Sequence, residues 1–324
     1  MTASEEVLRA FNDILDLKVA YTWRRSQILR FMGHVVANGF LYDIQDSELL
    51  SLKAMVDEIH MLCPPDGATF SDPVIEPVQS TKRALNPIWQ RNSPSQGSKL
   101  LLQTLVHNGV SFSGIYDILG LFLSSIGAAP NRATTRNFYL PMTAMYAKWC
   151  SALSEFVRKK SVPTMYNSTW VKDGPGKGRF FLGASLGGYI GGNRCERTGT
   201  WADVVKEARW DLINDGAMHM SGYSMYDCPL SRSAGDTSIG NRLWFGNFAE
   251  VYPLLHMLLP NPTAVHGIAL RNRGVDSTIY EDNLSGQVWT WVRDLCENCE
   301  ELVRMWGGLP VNFDCWADVS GAPP

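Results

Sequence analysis

Apolar residues recur at Leu8, Phe11, Leu15, Val19, Trp23, Ile28 and Phe31. The steps of three to five predict an amphipathic helix from Ser4 to about Val36, broken near Thr22. Glu5 and Glu6 suit its N-terminus through the helix dipole. Asp46 or Ser47 can cap a second helix to Leu62 that turns Leu49, Leu52, Val56 and Ile59 inward. Ser98–Asn108 and Ser113–Ile126 read as two helices joined by Gly109 and apolar on most faces, hence central. Asn137–Lys160 repeats the helical step through Met142, Met145, Tyr146, Trp149, Leu153, Phe156 and Val157. Thr200 caps a helix to about Ile213, and Phe248–Leu259 is a short apolar helix in which Pro253 marks a kink or the first turn. Leu284–Trp306 shows the most regular spacing, from Val288 through Trp291, Val292, Leu295, Cys299, Leu302 and Val303 to Trp306, and Gly307-Gly308 end it.

Between these blocks the pattern lapses. Pro64, Pro65, Pro73, Pro77, Pro87 and Pro94 interrupt Cys63–Gly97 and forbid a long helix there. An irregular stretch of that length inside a domain is unusual and points to an arm, a protrusion or a linker. Thr164–Val171 and Arg179–Leu182 read as short extended pieces beside a glycine-rich crossing, Gly174–Asn193, and the tail from Leu309 reads as extended. The expected fold class is mainly α, with long irregular Pro/Gly-rich crossings and a few short strands. Residues 1–62 and 98–324 form one discontinuous unit, and 63–97 form the Pro-rich arm or protruding segment.

Composition adds a tendency to associate. The chain is 45% hydrophobic and 19% charged, with 11 Trp, 11 Tyr and 13 Phe. Few charges and many rings fit either extensive self-contact or a large filled core. The net charge is −3 with no long basic run, so no basic tail is present to neutralise a nucleic acid phosphate by phosphate. The 7 cysteines follow no leader-like segment, which predicts free thiols in a reducing compartment. No apolar run reaches the roughly 18 residues of a membrane span.

Candidate chemistry is sparse. Gly183-Ala184-Ser185-Leu186-Gly187 fits the G-x-S-x-G pattern of a nucleophile elbow, which would make Ser185 the nucleophile of an esterase. Against this, Gly187, Gly188, Gly191 and Gly192 fall where a helix must leave the elbow, and alternating strand–helix units are missing ahead of it. Gly174-x-Gly176-Lys177-Gly178 lacks the spacing of a phosphate-binding loop. Cys296-x-x-Cys299 has no second ligand pair, so it reads as buried thiols rather than a metal site. The expectation is therefore no catalytic residue, no cofactor and no metal. The basic residues best placed to approach RNA are Arg132, Arg136, Arg158, Lys159, Lys160, Lys172, Lys177 and Arg179.

A helical chain with low charge, many aromatic residues and long proline- and glycine-rich crossings resembles the capsid proteins of partitivirus-like small double-stranded RNA viruses. The resemblance lies in texture across the whole chain. It implies a helical shell domain with a protruding segment, and subunits pairing into a dimer-based icosahedral shell. It also implies weak, non-specific contact with viral RNA, no membrane, and residence in the virion and the host cell cytoplasm. The alternatives are a helical nucleoprotein of a single-stranded RNA virus, which needs a basic groove, and a serine esterase of the α/β-hydrolase type using Ser185.

Overall fold

The computed structural model describes residues 6–63, 83–85, 100–154, 162–187, 194–195, 199–200, 205, 208–213, 247–258, 260–282 and 287–314. The helix expected from Ser4 begins only at Leu17: Ala10 bridges Leu15 around a turn with positive φ at Phe11, Asn12 and Asp13, and the chain then forms α1 (Leu17–Tyr21), α2 (Arg25–Ala37) and α3 (Asp46–Leu62). The break falls at Thr22–Arg24. The Thr22 hydroxyl donates to the Val19 carbonyl at 2.8 Å and closes α1, while the Gln27 side chain accepts the Arg24 N–H at 3.1 Å and opens α2. Asp16 caps the other end of α1 by accepting the Val19 N–H.

The Ser98–Asn108 helix is replaced by strands. β1 (Arg83–Leu85) pairs antiparallel with β2 (Leu100–Leu102), and β3 (Leu105–His107) turns back on β4 (Val110–Phe112). Asn108 and Gly109 make that turn with φ of +49° and +78°, the left-handed pair that an Asn-Gly hairpin favours. The arm assigned to 63–97 lies outside the described residues except for Cys63 and β1. Two helices follow, α4 (Ile115–Ile126) and α5 (Leu140–Ser154).

A four-stranded antiparallel sheet fills the centre. It contains β5 (Met165–Val171), β6 (Phe180–Ala184), β9 (Val265–Arg271) and β10 (Val292–Arg293), in the order β10-β9-β5-β6. The small pair β7 (Arg194–Cys195) and β8 (Gly199–Thr200) lies between β6 and the short helix α6 (Val251–Met257) in sequence. On one sheet face Tyr166 meets Tyr146 of α5 edge-on and Trp170 stacks on Tyr139, with ring centroids 4.0 Å apart. On the other face Phe181 stacks on His256 of α6 at 4.4 Å, and Phe313 of the turn Pro310–Phe313 covers Gly267. The fold is therefore a mixed α/β sandwich with helices on both sides of the sheet, not a mainly α bundle. Strands covered on both faces carry no polar alternation for a sequence to display; even Asn167, Ser168 and Thr169 are buried.

The regular pattern of Leu284–Trp306 is also divided, into α7 (Gln287–Thr290), β10 and α8 (Glu297–Met305). Val292 and Arg293 leave the helical path to pair with Leu270 and Ala269 at the sheet edge, so backbone pairing overrides the helical step. Cys296 precedes α8 in extended conformation and is exposed, whereas Cys299 is buried and its thiol donates to Glu250 at 3.7 Å. The pair is thus one exposed and one buried thiol.

Candidate nucleic-acid interface

From Leu17 to Tyr42 the chain contains no acidic residue, while Lys18, Arg24, Arg25 and Arg30 lie within it. Folding gathers most of these cations around Trp23. Its indole packs against the buried Trp149 ring, with centroids 5.6 Å apart and 14° between planes, and against Phe31 at 5.6 Å. The Trp149 indole N–H donates to the Ala20 carbonyl at 2.8 Å and so fixes the end of α1 against α5. The α1–α2 corner is held by buried rings, and its basic side chains stand outward from a fixed base.

A cavity opens on each side of Trp23. One, of about 560 Å³, includes Arg9, Asp16, Gln27, Arg30, His34 and Tyr42 in its wall. The other, of about 860 Å³, is bounded by Tyr21, Arg24, Arg25, Ser26 and Lys148. Asp16 lines the first cavity with its carboxylate engaged by the Val19 N–H, and the charge of Asp276 reaches Tyr21 and Lys148 beside the second. Arg9 donates to the Ile14 carbonyl, and His34 and Tyr42 share a hydrogen bond at 3.0 Å. Lys148 lies 5.2 Å from the centre of the Tyr21 ring, and burial lowers its pKa. Burial also raises the Tyr21 phenol, which stays neutral. The surface can hold phosphates on Arg9, Arg24 and Arg30 and place an aromatic edge between them.

The RNA-proximal residues expected from the sequence fall elsewhere. Lys172 and Lys177 belong to the β5–β6 turn, where Gly174, Gly176 and Gly178 adopt φ near +80°. Lys172 and Lys177 share a small cleft with Asn131, next to the exposed Arg132. Arg136 is withdrawn by an ion pair with Asp282 at 3.5 Å. Arg179 projects from the same turn onto the far side, near the C-terminal end of α4. Arg158, Lys159 and Lys160 lie outside the described residues. The acid-free interval from Leu17 to Tyr42 marks Trp23, Arg24, Arg25 and Arg30, whereas Arg9 and Lys148 lie outside it and join them only through the fold.

Ser185 follows β6, a strand antiparallel to β5, and is buried. Its hydroxyl oxygen accepts the N–H groups of Thr164 at 3.0 Å and Met165 at 3.1 Å and lies 3.4 Å from the Thr164 hydroxyl. Among the described residues no histidine or carboxylate bonds to it. Nor do the described residues contain a group of three or more His, Cys, Asp and Glu able to hold a metal, or a helix long and apolar enough to cross a membrane.

Compared with known proteins, the chain matches no protein family, no curated protein and no solved structure.

Proposed function

We propose that the chain is a viral coat protein. It associates with copies of itself, through dimers, into a shell around double-stranded RNA and touches that RNA through the Trp23 surface. The observation that carries this reading is the distribution of charge. A chain of net charge −3 concentrates Arg9, Arg24, Arg25, Arg30 and Lys148 around one ring-based corner. A handful of cations suits light contact with an enclosed duplex better than a groove that coats every phosphate. Self-association is supported by large apolar side chains left in water, among them Phe40 and Leu50, each 75% exposed, and Val311 at 69%.

One feature favours the nucleoprotein alternative: an aromatic residue between two cationic cavities also suits stacking with unpaired bases. The esterase alternative has less support, because the Ser185 oxygen is occupied by two backbone donors. Electron microscopy of the purified protein separates the three readings. Closed particles containing RNA are expected. Beaded filaments favour the nucleoprotein, and dispersed monomers overturn both assembly readings.

A further inference from the structure

A second cationic site lies away from Trp23, where the β3–β4 hairpin, the end of α4, the β5–β6 turn and α6 meet. Four elements enclose a cavity of about 180 Å³ with a wall that includes His107, Asn108, Ser124, Arg179 and His256 and, among the described residues, no carboxylate. We propose that this cavity is a binding site for a small oxyanion of the phosphate class, either a free anion or the terminal phosphate of a nucleotide, with Arg179 as its charged anchor.

Three observations support the proposal. First, Arg179 has no carboxylate partner among the described residues, although its backbone is fixed. Its N–H donates to Gly176 at 2.9 Å and its carbonyl accepts the Val171 N–H at 2.9 Å. The turn therefore aims an unneutralised guanidinium at the cavity, a group whose planar fork of donors fits a phosphate. Second, the His256 Nε2 is buried with no hydrogen-bond partner among the described residues, while its ring is clamped against Phe181 and lies 5.8 Å from Phe112. A buried nitrogen without a partner is costly unless a ligand satisfies it. Third, His107 and Arg179 lie close enough to His256 to oppose its protonation. Burial first, then His107 and Arg179, depress His256 to about 4, so near neutral pH both imidazoles are uncharged and Arg179 is the charged group in the wall formed by the described residues.

The remaining polar groups are already engaged within the protein and shape the wall. His107 Nδ1 bonds to the Ser51 hydroxyl at 2.8 Å, and Asn108 lies 3.1 Å from His107 Nε2. Both contacts orient the imidazole. The Ser124 hydroxyl donates back to Gly120 and accepts the Leu182 N–H, so it is already engaged. The last turn of α4 opposes an anion with roughly half a negative charge. The full charge of Arg179 exceeds it, and an anion that drew a proton onto either histidine would add a second positive charge.

The test is a titration of the full-length protein with inorganic phosphate at constant ionic strength, following the histidine Cε1–H resonances by NMR. The expected result is saturable movement of the His107 and His256 signals, with the His256 pKa rising. In Arg179→Gln the affinity should fall by about tenfold or more. Among the described residues this exposed side chain has no hydrogen-bond partner, and circular dichroism of the variant checks that the fold is intact. A dinucleotide with and without a 5′-phosphate then identifies the source: a response to inorganic phosphate marks a free anion, and a response to the phosphorylated dinucleotide alone marks a nucleotide end. Resonances that do not move with any of these, or that move equally in Arg179→Gln, would overturn the proposal.

Discussion

The Arg209 guanidinium lies 3.7 Å from the Asp117 carboxylate, and both side chains are almost completely buried. The same guanidinium donates to the carbonyls of Ala184 at 3.0 Å and Phe248 at 2.7 Å. One cation thus ties α4, the end of β6 and the approach to α6 together. Glu250 is a second buried carboxylate in this cluster. Replacing Arg209 with Met leaves two carboxylates and two carbonyls without their cation. The expected cost is about 3–5 kcal/mol, read from urea denaturation. A loss below about 1 kcal/mol would contradict this role.

Acidification should act on two sets of groups with opposite sign. Burial holds Asp117 at about 6 despite the opposing pull of Arg209, well above its ordinary 3.8. The folded state therefore keeps a proton that the unfolded state releases, and this group's contribution to stability grows as pH falls from about 6 to about 4. Glu250 is raised in the same direction, again chiefly by burial. His256 and His266, both pushed by burial from 6.5 to about 4, oppose this, because the unfolded chain gains protons that the folded chain refuses. Asp117→Asn removes a term that favours acid, so the variant should lose more stability than the parent over that range. Parallel denaturation curves against pH would show that Asp117 does not titrate as described.

Two glycines allow backbones to approach within van der Waals contact. A Cβ on Gly183 would sit 2.2 Å from the Ala249 carbonyl oxygen, and one on Gly120 would sit 2.3 Å from the Leu182 carbonyl oxygen. Because the obstacle is backbone in both places, alanine at either should lower stability by about 1–3 kcal/mol or more. Gly33 on the exposed face of α2 has nothing within 4 Å, so alanine there should raise stability by about 0.5–1 kcal/mol. Thermal unfolding of the three variants checks the contrast, and similar shifts at all three would refute the packing assignment.

How much of this was legible in the sequence depends on what each element faces. Helices with one apolar stripe, α2 and α3, follow their periodicity, including the break at Thr22, whereas the same step over Leu8, Phe11 and Leu15 belongs to a bridged turn in which Phe11, Asn12 and Asp13 take positive φ. The extended pieces read at Thr164–Val171 and Arg179–Leu182 fold as β5 and β6, but their partners β9 and β10 and the sheet they build were not legible, and Gly183 in β6 is a packing requirement rather than a loop mark. The β3–β4 hairpin carried one sign, Asn108-Gly109. Leu284–Trp306 kept a helical step while Val292 was drawn to the edge of β9, a preference set by a partner distant in sequence. The Trp23 surface has the same character. Its cations lie at Arg9, Arg24, Arg25, Arg30 and Lys148, and only the packing of Trp23 on Trp149 brings them together.

Ser185 should prove structural rather than nucleophilic. Ser185→Ala removes the acceptor for the Thr164 and Met165 N–H groups, and the expected cost is about 1–3 kcal/mol. A fluorophosphonate probe should leave the parent protein unlabelled at this position. Stoichiometric labelling of Ser185 would restore the esterase reading.

The central claim, that RNA meets the Trp23 surface and does so lightly, is tested most directly by a salt titration of RNA binding with disassembled subunits. The parent is compared with a variant in which Arg9, Arg24 and Arg30 are all Gln. Each neutralised phosphate contributes about −0.9 to the slope of log affinity against log salt, so about four contacts predict a slope near −4 and weak binding at physiological salt. The triple variant should still assemble, with the slope reduced to about −1 and RNA lost from the particles. An unchanged slope in the variant, or tight binding that survives physiological salt, would contradict the account.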